Sequence, residues 1–181
     1  TKRNGRPIIN FFYTNRDGGN IFIDGGLESI RKFEQDIRSM PGFKDVCYSN
    51  EQGNCLPFDS IVPYFYPEGT LVNDIDSVLR SFTSSTKALA KMDRYFTKDN
   101  LRSNITMTTV WLNYGNVDMF LESLHHELWE ADASHKYPEI IVSWRNEYMT
   151  DLEAQEALQN DALWSLGALC FIAICIYVKV F

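Results

Sequence analysis

The chain has 181 residues and a formal charge of -7 at pH 7, so no basic surface argues for nucleic-acid binding. That length holds one domain of about 150 residues plus a short remainder, and the acidity reads as ordinary solubility. Residues 1–10 (TKRNGRPIIN) lack the apolar run of a signal peptide, so an external, membrane-bound domain is expected to need a span upstream.

Residues 8–14 (IINFFYT) are rich in β-branched and aromatic side chains, the composition of a strand. A turn cluster follows at residues 15–20, then a short apolar stretch at 21–23. Asp24 is placed to cap a helix, in which Leu27, Ile30, Phe33, Ile37 and Met40 recur at three- and four-residue steps. Pro41-Gly42 stops it, and residues 43–47 are expected to form a second strand. Residues 48–70 are irregular, with Pro57, Pro63 and Pro67 among aromatic residues. Val72, Ile75, Val78, Leu79 and Phe82 predict a helix, and Leu89, Met92 and Phe96 continue it or start another.

Residues 106–114 (TMTTVWLNY) read as a strand with Val110, Leu112 and Tyr114 on one face. Asn116 can cap the next helix, striped by Val117, Phe120, Leu121, Leu124 and Leu128. Residues 139–145 alternate through Ile140, Val142 and Trp144 as a fourth strand. The fold class expected is therefore α+β, a ferredoxin-like βαββαβ sandwich filling residues 1–149, with two helices over one face of an antiparallel sheet. The insert, about residues 48–105, is too long for a plain connection and should form a subdomain or a partner contact.

Thr150 and Glu153 form a capping box that opens an amphipathic helix at residues 150–161, with Leu152, Ala157 and Leu158 on the membrane interface and Asp151, Glu153 and Glu156 in water. Residues 162–181 (ALWSLGALCFIAICIYVKVF) carry one charge, Lys179, and have the length of about 20 apolar residues that spans a bilayer. Positive residues favour the cytoplasmic side, so Lys179 places the Phe181 end inside and residues 1–161 outside, in a multi-pass plasma-membrane protein. Two further features agree with that side. Cys47 and Cys55 bracket a polar, turn-rich stretch and are expected to form a disulfide, and Asn104-Ile105-Thr106 is the only Asn-x-Ser/Thr sequon, so Asn104 is a candidate glycosylation site. Cys170 and Cys175 lie in the apolar run and read as small span residues.

No catalytic constellation emerges. His126-Glu127 begins like a zincin motif, but position 130 is Glu, and His125, His126 and His135 read as surface histidines. Phosphate-loop, dinucleotide and nucleophile-elbow patterns are missing too, so no enzyme activity and no metal or cofactor in this chain are expected. The aromatic cluster Phe58, Tyr64, Phe65 and Tyr66 either packs the insert onto the sandwich or offers a surface for a hydrophobic or protein ligand.

The segments CLPFDSIVPYFYPEG (55–69) and SWRNEYMTDLEAQEALQNDALWSLGALCFIAIC (143–175) resemble the Dispatched and Patched branch of the resistance-nodulation-division (RND) permeases, Dispatched more than Patched. The resemblance covers the chain from about Pro7 and implies the first extracellular domain and second transmembrane helix of a twelve-span transporter. It implies release of cholesterol-modified Hedgehog-type ligand, driven by a cation gradient, with the remaining spans, a second extracellular domain, sterol or lipid, and the membrane as partners. The ion-carrying acidic residues of the family sit in a later span, so none is carried over here. Some members are cleaved by furin, and Lys2-Arg3 would complete such a site only with an Arg just before Thr1. The alternatives are a Patched- or Niemann-Pick-like sterol transporter or receptor, and a single-span cell-surface binding protein.

Overall fold

The structure, a computed structural model, describes residues 7–113, 117–146, 149–151, 153, 154, 157, 158, 161, 162, 164 and 165. The chain divides into two units, Thr1–Asn146 and Glu147–Phe181. The first is α+β, built on a three-stranded antiparallel sheet of order β2-β1-β3, with β1 at Ile8–Asn15, β2 at Ile105–Trp111 and β3 at Ile140–Arg145. Register is set by burial. Phe11 lies opposite Thr108 on one side and Trp144 on the other, and Tyr13 opposite Thr106 and Val142. These positions share one face, and a one-residue slip would turn Ile9, Phe11 and Tyr13 out of the core.

That face is covered by α1 (Asp24–Ser39) and α6 (Val117–Ala133). Leu27, Ile30, Phe33 and Ile37 of α1 are buried, as their spacing predicted, and Phe33 sits edge-on to Phe11, Tyr13 and Tyr137. Phe120, Leu121, Leu124 and Leu128 of α6 are buried likewise. Ile23, not Asp24, holds the N-cap position of α1 and makes no side-chain cap bond. The opposite face of the sheet carries Ile8, Phe12, Met107, Trp111 and Ile141, which are half-buried or exposed. Asn116 and Tyr114 lie outside the described residues.

The expected second strand at residues 43–47 is corrected. Phe43–Val46 forms a short helix, α2, and Cys47 makes only an isolated bridge to Leu112. The reason is local. Gly42 takes φ +82°, which reverses the chain after α1. Phe43 and Val46 then bury together at a helical three-residue step, with Lys44 and Asp45 exposed.

The insert is mostly irregular, with three short helices, and belongs to the same core. It holds α3 (Val62–Phe65), α4 (Ile75–Phe82) and α5 (Thr86–Leu89). Asp74 caps α4, its side chain accepting from the Ser77 amide, and Ser85 caps α5 through the Ala88 amide. Isolated bridges from Asp59 to Thr109 and from Met92 to Thr106 fasten the insert along the free edge of β2. Burying that edge removes a row of unpaired backbone groups.

In the second unit every described residue from 149 to 165 is helical, including the described part of the expected interfacial helix. Most of the expected span, residues 166–181 and Leu163, lies outside the described residues; among those that are described, no helix is long and apolar enough to cross a membrane.

Candidate functional site

The insert meets the sheet and α1 through the aromatic cluster and through a buried carboxyl. Pro63 stands in the first turn of α3, where its missing N–H costs nothing, and the helix projects its residues in opposite directions. Phe65 is fully buried against Phe22 and Phe82, at centroid distances of 5.9 and 5.7 Å. Phe58 is buried edge-on to Phe43, with the Arg38 guanidinium 4.1 Å above its ring. Tyr66 is buried under Arg31 at 4.6 Å. Only Tyr64 faces out, 54 % exposed, its ring edge-on to Phe82 at 5.1 Å. The sequence-level surface of four aromatic residues thus narrows to one: Phe58, Phe65 and Tyr66 are core.

Sequence reasoning missed Glu34. It lies on the buried stripe of α1, four residues after Ile30 and three before Ile37, and is 6 % exposed. Its Oε1 accepts from Ser60 Oγ of the insert at 2.5 Å and from Thr108 Oγ1 of β2 at 2.7 Å. One carboxyl therefore ties helix, insert and sheet together. Burial raises its pKa above the usual carboxylate range, against the two hydroxyl donors and the positive charges of Arg38 and Lys91. Beside it the fully buried Tyr13 phenol is held well above its ordinary range, by burial first and by Glu34 second.

A second polar joint runs along the edge of β2. Asp59 exchanges both backbone hydrogen bonds with Thr109, each 3.0 Å. Lys91, itself buried, donates to the Asp59 carbonyl at 2.7 Å and pairs with its carboxylate at 3.2 Å. Lys87 joins the same carboxylate at 3.1 Å from an exposed position. Burial holds the Lys91 ammonium below its usual range, and Asp59 opposes that. These groups are donors and acceptors satisfied by one another, an arrangement that holds the insert in place.

Cys47 and Cys55 stand at disulfide distance, their Cα atoms 5.5 Å apart. The loop between them is ordered by Asn50, whose Oδ1 accepts from the amides of Gln52 and Asn54, both at 3.0 Å. Asn104 is exposed at the start of β2. Of the histidines, His126 and His135 are exposed, but His125 is buried and corrects the surface reading. Its Nε2 accepts from Trp129 Nε1 at 3.2 Å, and its ring lies edge-on to Trp144. No group of His, Cys, Asp and Glu among the described residues could hold a metal ion. Against protein-family models and characterised proteins the chain finds no match.

Proposed function

We propose that this chain is the first extracellular domain of a Dispatched-like RND transporter, followed by its second transmembrane helix, and that the intact protein releases lipid-modified Hedgehog-type ligand from producing cells under a cation gradient. The finer fold assignment, a ferredoxin-like porter-type sandwich, belongs to the same proposal. The observation that carries it is the topology. The first strand is central, its two neighbours are antiparallel, and two long helices lie over one face. In a βαββαβ sandwich the second strand would lie outside β2, and Cys47 bridges Leu112 on that side. The insert has taken the rest of the edge.

The open sheet face supports a larger assembly. Ile8 and Ile141 are 40 % and 37 % exposed, and Phe12, Met107 and Trp111 are half-buried beside them. An apolar sheet face of this kind is suited to packing against another domain. In this reading the domain shapes an external groove for the lipidated ligand. Tyr64 is the contact residue, and movement passes through residues 150–161 to the span.

The test is the denaturing mass of the native, membrane-extracted protein. A mass several times that of this chain, in a protein that stays in the membrane after alkaline extraction, is the expected result. A mass near 20.9 kDa would end the transporter reading and leave a single-span surface protein.

A further inference from the structure

Strand β2 contains three threonines whose hydroxyls meet different fates. Thr108 donates to Glu34, and Thr109 donates to Asn10 Oδ1 at 2.8 Å. Thr106 is 0 % exposed, and its Oγ1 has no hydrogen-bond partner among the described residues. A buried hydroxyl without a partner is destabilising, and valine, of nearly the same shape, would fill this strand position without that loss. Among the described residues the Thr106 oxygen therefore adds no hydrogen bond to the fold. Two residues earlier, Asn104 is exposed, and its hydrogen bonds are main-chain ones. Its amide donates to Asp93 Oδ2 at 2.9 Å and its carbonyl accepts from the Asn15 amide at 3.4 Å. Its side-chain amide makes no hydrogen bond among the described residues. Asn104 and Thr106 are the acceptor and the hydroxyl of the sequon, which is read on an extended chain.

We infer that Asn104 carries an N-linked glycan, attached before β2 joins the sheet, and that this early step is the reason for the hydroxyl at Thr106. The donor is a lipid-diphosphate-linked oligosaccharide. Asn104 Nδ2 forms a bond to the anomeric carbon of the first sugar and loses a proton. The sugar–phosphate bond breaks and the lipid diphosphate leaves. Once the strand pairs, Thr106 is sealed inside and only the glycan-bearing side chain stays outside. The inference rests on the reading that residues 1–161 are extracellular.

The experiment uses the full-length protein expressed in glycosylating cells, as parent, Asn104→Gln, Thr106→Val and Thr106→Ser. The tryptic peptide Ser103–Lys136 is analysed by mass spectrometry after enzymatic glycan release in heavy-oxygen water, and Cys47 and Cys55 are probed with a thiol reagent. Labelled conversion of Asn104 to Asp is expected in the parent and in Thr106→Ser, with complete loss in Thr106→Val and Asn104→Gln. After glycan removal, Thr106→Val should melt at or above the parent temperature. An unmodified Asn104 in a protein whose two cysteines resist the reagent overturns the glycan alone and leaves the extracellular placement standing. An unmodified Asn104 with both thiols reactive overturns the placement, and the glycan with it. A deglycosylated Thr106→Val that melts several degrees below the parent shows that the hydroxyl serves the fold, which also overturns the inference.

Discussion

Replacing both Cys47 and Cys55 by Ala should lower the melting temperature of the first unit by about 8 °C. The disulfide closes a loop with a sequence separation of 8, which in the chain-entropy account removes about 2.5 kcal/mol of freedom from the unfolded chain. A domain the size of residues 1–146 unfolds with an entropy of about 0.3 kcal/mol/K, and the ratio of the two gives the shift. The position of the bridge makes it matter beyond its loop. Cys47 pairs with Leu112, its carbonyl accepts from Asn113 Nδ2 at 2.8 Å, and the Tyr48 amide donates to Trp111 at 3.1 Å. These bonds fasten the segment after α2 to the end of β2. The assay is differential scanning calorimetry of the isolated first unit, oxidised parent against the double variant. A shift below about 3 °C with an unchanged transition enthalpy would refute the reasoning. It would mean that the Asn50-centred hydrogen bonds already hold the loop in the unfolded ensemble, leaving the disulfide little entropy to remove.

Glu34→Gln keeps an acceptor for Ser60 and Thr108 and removes a titrating group. A raised folded-state pKa means that the native protein holds the proton more tightly than the unfolded chain. Glu34's contribution is therefore fully present below the unfolded carboxylate range and is lost as pH rises through the folded value. The stability of Glu34→Gln relative to parent should rise from acid to neutral pH in urea melts, and a flat difference sinks the assignment. Phe65→Ala should cost about 3–5 kcal/mol, because the side chain is fully enclosed by Phe22 and Phe82. Tyr64→Ala should cost about 1 kcal/mol or less yet reduce ligand release, and normal release from properly folded surface protein would remove Tyr64 from the proposed contact. Asp59→Ala should destabilise by about 3–5 kcal/mol by stranding the buried Lys91, while Lys87→Ala changes stability by less than about 0.5 kcal/mol; equal effects would show that Lys91 is not the partner that counts.

The three strands and two long helices were legible because their periods are clean. Residues 8–14 lack only Asn15 of β1, and the stripe from Leu27 to Ile37 is the buried side of α1. The error at residues 43–47 came from composition: Phe, Val and Cys favour strands, whereas the three-residue step from Phe43 to Val46 after a left-handed Gly42 was the better guide. The aromatic insert could not be divided into inward and outward residues before its helix was placed, since Tyr64, Phe65 and Tyr66 are adjacent and only a one-turn helix sorts them. Glu34 was overlooked because a charged residue is taken for surface, although Ile30 and Ile37 put it on the stripe. The Thr106 hydroxyl looked like any other strand threonine; its lack of a partner depends on neighbours brought in from distant parts of the chain.

The central position of β1 also sets a clock for synthesis. The strand leaves the ribosome well before its partners, which are Ile105 for Thr14 and Ile140 for Asn15. Roughly 125 residues must follow Asn15 before β3 exists, which at ~5–20 residues per second is a wait of about 6–25 s. Until β2 is made this apolar, aromatic strand has neither neighbour, and until β3 is made it has only one, which invites wrong pairing or a chaperone. Residues 104–106 emerge before β3, while the sheet is still incomplete, and that is the interval the proposed modification of Asn104 requires.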